Sequence, residues 1–215
     1  MTSRGSMKLM IVGATGLVGR YVLDLALADP RIGTVVAPVR RPVGARPKLE
    51  APVIDYERLP EEAEWWHVDA VVCALGTTMK VVRSREAFRR VDHDYPLEIA
   101  RLARKHGARR FALNSAAGAH PGSPFFYFRV KGDLERHLTS IGFESLTFVR
   151  PGLIGGNRAE IRLGEWIASV LLEAIGSILP RRLRINPAAN IARALLDAAI
   201  DGPPGVHVVD AADLT

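Results

Sequence analysis

The stretch Lys8-Leu9-Met10-Ile11-Val12-Gly13-Ala14-Thr15-Gly16-Leu17-Val18-Gly19 decides the fold. After Lys8 it runs through four apolar residues, the pattern of a strand buried on both faces. Three glycines spaced Gly-x-x-Gly-x-x-Gly follow at once, and an amphipathic segment from about Leu17 to Ala28 continues the chain as a helix. Three glycines alone are a weak signal; a strand before them and a helix after them make a phosphate-binding turn. Gly13 permits the tight turn, Gly16 lets backbone approach a pyrophosphate, and Gly19 lets the helix pack closely on the sheet. The helix start offers unpaired N–H groups and a favourable field to phosphates, with Thr15, Leu17 and Val18 completing the turn. A bound dinucleotide is the expectation.

Outward from that turn, strand-like runs alternate with helix-like ones. Thr34 to Val39 reads as a second strand, Val53-Ile54 as a short third, and Val68 to Leu75 as a fourth. Arg110 to Leu113 and Ser145 to Val149 read as the fifth and sixth, and Gly205 to Val209 as a last one. A long helix is expected from Arg85 to His106, stopping at Gly107, and another from Phe125 to Ile141, ending at Gly142. Two more are expected from Gly164 to Ile178 and from Ala188 to Ile200, and the Pro- and Arg-rich stretch Arg40 to Pro52 reads as a surface loop. Alternating strands and helices with continuously apolar strands predict an α/β fold with a doubly wound parallel sheet. That is a Rossmann fold, here with a small C-terminal helical substrate region at about residues 152–200. Gly5-Ser6 ahead of Met7 has the look of a cloning scar, so residues 1–6 are set apart from a single domain over 7–215.

Composition excludes several classes. Of 215 residues 48% are hydrophobic and 24% charged, ordinary for a globular protein. No apolar run reaches the roughly 18 to 20 residues of a membrane span, and no signal peptide is legible at the start. Cys73 is the single cysteine, so no intrachain disulfide forms, and a cytoplasmic location is expected. It lies in an apolar run, as a small buried hydrophobe would. The six histidines show no metal-ligand spacing, and no metal is expected. A net charge of +6 gathers partly at Arg101, Arg104, Lys105, Arg109 and Arg110 and at Arg181-Arg182-Leu183-Arg184. Interspersed acids and the lack of a nucleic-acid motif make these solvated faces rather than a nucleic-acid surface.

The end of the second strand bears on the form of the dinucleotide. Selection of NAD places an Asp or Glu there to hold the ribose 2′-hydroxyl. This chain has Arg40-Arg41 instead, which suits a 2′-phosphate and predicts NADPH over NADH; otherwise both are solvated loop charges. Asp55 reads two ways, as an acceptor for the adenine amino group or as a turn residue. Leu75-Gly76-Thr77-Thr78 ends the fourth strand beside the expected cleft, where Gly76 lets backbone pass close and the hydroxyls can bond ribose or phosphate.

Tyr127 and Lys131 stand four apart in a helix, hence on one face and about 6 Å apart at Cβ. A lysine beside a phenol favours phenolate, and such a pair exchanges a proton with a carbonyl or alcohol oxygen. Ser115, at the end of the fifth strand, can orient that same oxygen. With these residues the chain resembles the short-chain dehydrogenase/reductase superfamily, including its Ser115, Tyr127 and Lys131 triad and the Arg150-Pro151-Gly152 run. More closely it resembles the atypical branch of the Tat-interacting-protein oxidoreductases and small bacterial NAD(P)-binding relatives. Ala74-Leu75-Gly76-Thr77-Thr78, Val91-Asp92-His93-Asp94-Tyr95, Tyr127-Phe128-Arg129-Val130-Lys131-Gly132 and Gly164-Glu165-Trp166 carry that likeness.

The resemblance implies a Rossmann domain with NADPH in the cleft and a small-molecule substrate. It makes Tyr127 the general acid or base, Lys131 the ligand of the nicotinamide ribose, and Ser115 the positioner of the substrate oxygen. Asn114 and Pro151-Gly152-Leu153 would lie along the cofactor. Some relatives use this fold to sense cofactor or bind protein partners, so a non-catalytic role and a homo-oligomer stay open. The short stretch after Pro151 leaves little room for the substrate domain of a nucleotide-sugar epimerase. Arg158, Arg162, Trp166 and His120 each read two ways, as substrate-pocket residues or as ordinary loop and packing residues.

Overall fold

The computed structural model describes residues 6–155 and 185–215. Seven strands form one parallel sheet: β1 (Met7–Val12), β2 (Ile32–Val36), β3 (Leu49–Glu50), β4 (Ala70–Cys73), β5 (Arg110–Asn114), β6 (Ser145–Arg150) and β9 (Gly205–Asp210). Their order across the sheet is β3-β2-β1-β4-β5-β6-β9. The chain leaves β1 towards β2 on one side and returns to β4 on the other, so a crevice opens beyond the carboxyl ends of β1 and β4. Two short strands, β7 (Leu153–Gly155) and β8 (Ile185–Pro187), pair separately.

Side-chain alternation along the strands builds two apolar layers. Leu9, Ile11 and Val72 face a layer with Val18 and Val22 of α1 (Leu17–Ala28) and Ile191 and Leu195 of a C-terminal helix (Ala188–Asp201). Met10, Val12, Val71 and Cys73 face the opposite layer, with Ile99 and Ala103 from α4 (Tyr95–Lys105) and Leu134 and Leu138 from α5 (Phe126–Thr139). We number the C-terminal helix α6. Of the stretch expected near the substrate, α6 therefore belongs to the helix layer, and 156–184 lies outside the described residues.

Three details differ from the sequence expectation. The third strand is regular at Leu49–Glu50, upstream of Val53-Ile54, and Val53 keeps only an isolated bridge to Val39. Pro38 and Pro52, which lack an N–H, break the ladder between those two pairings. The helix expected over Arg85–His106 is α3 (Arg85–Arg89) joined to α4 through a π turn, Arg90–Asp94. A π turn adds a residue to the helical repeat, and here it buries Asp92 and His93. A one-turn helix, α2 (Met79–Val82), follows the β4 loop, too short to show a period. The stop at Gly107 is as expected, with φ +100°, the left-handed conformation that ends helices.

Candidate functional site

The glycine turn and the β4 loop meet because Val12 pairs with Cys73. The Ala74 N–H donates to the Val12 carbonyl at 2.9 Å, and a Cβ on Gly13 (φ +83°) would lie 2.8 Å from Ala74 backbone. Gly19 is tighter still: its Cβ would fall 2.0 Å from the Gly13 carbonyl oxygen. Gly16 caps α1 with no side chain, so the first-turn N–H groups at Leu17 and Val18 are left for a ligand. Val18 and Gly19 are buried, whereas Thr15 and Gly16 are exposed.

One cleft joins the Gly13–Gly16 turn, Pro38, Val39 and Arg40 after β2, Tyr56, and Ala74, Leu75 and Gly76 after β4. Arg40 thus lines it; Arg41 is exposed and stands outside this lining. Asp55 is a turn residue, exposed, its carboxylate accepting from the Glu57 N–H at 2.9 Å. Its neighbour Tyr56 lines the cleft instead, with its hydroxyl on the Pro38 carbonyl at 3.3 Å and its ring stacked on Tyr95. Thr78 Oγ1, just past β4, and Asn114 Oδ1, ending β5, are buried with no hydrogen-bond partner among the described residues. A glycine cradle, open helix N–H groups, a cleft with an arginine and two orphaned polar atoms at the strand ends fit a dinucleotide.

Beside this cleft, α5 presents Tyr127, Lys131 and Glu135 four residues apart, on one face. Gly132 brings the helix in: a Cβ there would lie 2.2 Å from the His120 backbone. His120 itself is a loop residue whose Nδ1 accepts from the Gly122 N–H. The buried Lys131 ammonium meets Asp92 Oδ1 at 2.8 Å, and the other Asp92 oxygen accepts from the Thr77 N–H at 2.8 Å. Ser115 donates its hydroxyl to Glu135 at 2.6 Å, and Arg150 grips the same carboxylate from Nε and Nη2 at 3.0 and 2.5 Å. The Tyr127 hydroxyl makes no hydrogen bond among the described residues, and its ring packs against Phe88 and Phe128.

At Tyr127 burial and the neighbouring charges oppose one another. Burial pushes the Tyr127 phenol up, Lys131 works against that and Asp92 with it, so the group is a neutral phenol, not a phenolate, at neutral pH. Burial also works to strip the proton from Lys131, but Asp92 and Tyr127 outweigh it and hold the ammonium above the usual lysine range.

Pro151-Gly152-Leu153 runs beside Ser115: the Ala117 N–H donates to the Pro151 carbonyl, and the Gly152 N–H to buried Asn186 Oδ1 at 2.8 Å. Glu135, Asn186 and Tyr56 are the residues sequence reasoning missed, and Asp92 was named only within the Val91–Tyr95 run, without a role. Tyr56 and Glu135 had a faint signal, one residue from Asp55 and one turn from Lys131; Asn186 had none. Arg158, Arg162, Gly164-Glu165-Trp166, the helix over 164–178 and Arg181-Arg182-Leu183-Arg184 lie outside the described residues. The other basic cluster is paired along the surface, Arg101 with Glu98, Lys105 with Glu62 and Arg109 with Glu144. Among the described residues no group of three or more His, Cys, Asp or Glu is placed to hold a metal, and no helix is long and apolar enough to cross a membrane.

Fold and cleft together define an NAD(P)-binding Rossmann protein. The model of the NAD(P)H-binding family matches residues 13–163. Protein fmp52, mitochondrial, of Emericella nidulans is 33% identical over 78% of this chain and 76% of its own length. Protein HTATIP2 of Rattus norvegicus is 31% identical over 92% of this chain and 83% of its own. The chain therefore belongs to the NAD(P)H-binding family, in the atypical branch of the short-chain dehydrogenases/reductases. Among solved structures, MoeE5 in complex with UDP-glucose and NAD has a TM-score of 0.72 at 16% identity, covering 94% of this chain and 75% of that one. A short chain dehydrogenase family protein from Francisella tularensis has a TM-score of 0.70 at 13% identity, covering 97% and 99%. These two likenesses show the fold.

Proposed function

We propose that this protein is an NADPH-dependent oxidoreductase of short-chain dehydrogenase/reductase type, acting on a small carbonyl or alcohol. The observation that carries the reading is the Tyr127 hydroxyl one helical turn from the buried Lys131, beside a cleft that joins the glycine turn to Arg40. Bound NADPH would supply hydride. Gly13, Gly16 and the first turn of α1 would hold its pyrophosphate, Arg40 its 2′-phosphate, and Asn114, Thr78 and Pro151-Gly152-Leu153 its nicotinamide half. Tyr127 gives its proton to the substrate oxygen, and Lys131 binds the ribose and keeps positive charge near the phenolate left behind.

Because burial holds the phenol up, the donor form persists through neutral pH, which suits reduction. Reduction is expected to be level through neutral pH and to fall only under alkaline conditions, while alcohol oxidation rises with pH; the reverse pattern in kcat profiles would contradict the assignment. A panel of aldehydes and ketones screened for NADPH consumption is expected to give at least one substrate. Its turnover should drop ~100-fold or more in Tyr127→Phe.

A second reading, a nucleotide-binding regulatory protein without turnover, draws on Ser115: its proton is given to Glu135 and so is not free for a carbonyl oxygen. NADPH binding with no consumption across the panel would favour it. An epimerase or dehydratase has only the likeness to sugar-nucleotide enzymes behind it. A cytoplasmic location goes with the leading reading, supported by a single cysteine that leaves no intrachain disulfide; the mitochondrial names belong to the fungal relatives.

A further inference from the structure

The chain that follows the cofactor loop forms a lip of hydrocarbon and unmatched cations beside Tyr127. It starts at Thr78, whose buried hydroxyl has no hydrogen-bond partner among the described residues, and runs through α2 to α3. Phe88 of α3 packs on two rings of α5, with centroids 5.7 Å from Phe126 and 5.8 Å from Tyr127, and the Arg85 guanidinium sits 5.2 Å over the Phe126 ring. These contacts hold α3 against the end of α5 that carries Tyr127, so α2 bridges from the cofactor loop to the helix of the proton donor. Val81 of α2 is 69% exposed and Phe125, just ahead of α5, 46%. Phe125 borders the same ring cluster, meeting Phe128, which meets Tyr127. We propose that this lip takes a substrate with an apolar chain and an anionic group at its far end, the chain lying on Val81 and Phe125 and the anion held by Lys80 and Arg83. The proposal rests on reading Tyr127 as the group that meets the substrate oxygen.

Charge pairing decides what the far end of such a chain would meet. Further along, the cations are matched: Arg89 with Asp133, and Arg90 with Glu57 and Glu86. Lys80, Arg83 and Arg85 are exposed and meet no carboxylate among the described residues. Arg83 is also held at φ +59°, in the left-handed conformation, at the end of α2 where glycine would sit without strain. Backbone strain of this kind gathers at ligand clamps, and here it falls on a long cation at the rim of the site. Hydrocarbon beside unmatched cations suits an amphiphilic anion. Burying methylenes on Val81 and Phe125 adds affinity along the chain, and a guanidinium binds carboxylate or phosphate through charge-assisted hydrogen bonds. A neutral carbonyl compound of the same length would gain only the first of these.

The test uses ligands that do not react, so it needs no turnover. Octanoate, octyl phosphate and octanamide are titrated by calorimetry into the protein with NADP+ present, at low and high salt. At least one of the two anions is expected to bind ~10-fold or more tightly than octanamide, with the advantage shrinking at high salt. The tighter of the two names the head group. Lys80→Gln combined with Arg83→Gln should cut the preference for the anion to about twofold or less. Arg101→Gln combined with Arg109→Gln removes equal charge elsewhere on the surface and should leave the preference in place. Equal binding of octanamide and both anions overturns the proposal. So does a preference that survives in the Lys80 and Arg83 variant, or one lost equally in the distant pair, which would make it an effect of net charge alone. An anion preference in a protein that consumes no NADPH with 8-oxooctanoate or any uncharged aldehyde sinks the oxidoreductase reading alone. Reduction of octanal by a protein indifferent to the anion sinks the lip alone.

Discussion

Ser115, Lys131 and Glu135 are buried polar residues in one small volume, and each is matched: hydroxyl to carboxylate, ammonium to carboxylate, carboxylate to guanidinium. Matching matters because an unpartnered charge in a low-dielectric interior is costly. Glu135→Ala would strand Arg150 and leave the Ser115 hydroxyl without its acceptor, so a loss of about 3 kcal/mol is expected in urea unfolding. A change under about 1 kcal/mol would mean the network contributes little to the fold. Gly19→Ala, with its Cβ driven against the Gly13 carbonyl, is expected to cost about 1–3 kcal/mol and to weaken nucleotide binding as the turn shifts. At this scale Tyr127 and Lys131 were legible, because spacing alone puts i and i+4 on one helical face. Asp92 and Asn186 were not, since their partners come from distant parts of the chain and no local pattern announces a pairing. Ser115 was legible as a residue of the site but not in its bonding, because the direction of a hydroxyl is set by the neighbour the fold brings to it.

Among the elements, the π turn between α3 and α4 has the largest local effect. Besides Asp92 it buries His93, whose Nδ1 meets Asp94 at 2.7 Å and whose Nε2 meets His137 of α5 at 2.8 Å. Burial lowers the affinity of His93 for a proton, and nearby Arg89 and His137 add to that, against the opposing pull of Asp94. The unfolded chain binds that proton near pH ~6.5 and the folded one only at lower pH, so acid favours unfolding across that interval. The midpoint of thermal unfolding is expected to fall as pH drops below about 6.5. His93→Gln should flatten that slope, and an unaltered slope would remove His93 as its source. Element types and order were readable from periodicity. The extra residue of the π turn was not, because it interrupts the 3.6-residue repeat; its one mark is Pro96, just past the turn, which has no N–H to give to a regular helical repeat. The displaced third strand was also missed, because Pro38 and Pro52 decide which backbone groups can pair.

For the whole molecule, the sheet lies between two apolar layers, with Cys73 fully buried on its central strand β4. Burial pushes the thiol up to about 11, so at pH 8 it is neither ionised nor reachable. A thiol reagent at pH 8 is expected to react only as fast as the molecule unfolds, and prompt reaction of the native protein would contradict this core. The doubly wound architecture was legible because it follows from alternating strand and helix patterns and one glycine turn. The cleft was legible only as a place, beyond β1 and β4; its lining by Arg40 and Tyr56 came from the path of the chain after β2. The claim that this cleft takes a phosphorylated dinucleotide is tested most directly by measuring Kd for NADPH and NADH with the wild type and Arg40→Ala. NADPH should bind ~10-fold or more tightly than NADH, and Arg40→Ala should erase that difference by weakening NADPH alone. Equal affinities in the wild type, or a preference that survives in Arg40→Ala, would contradict it.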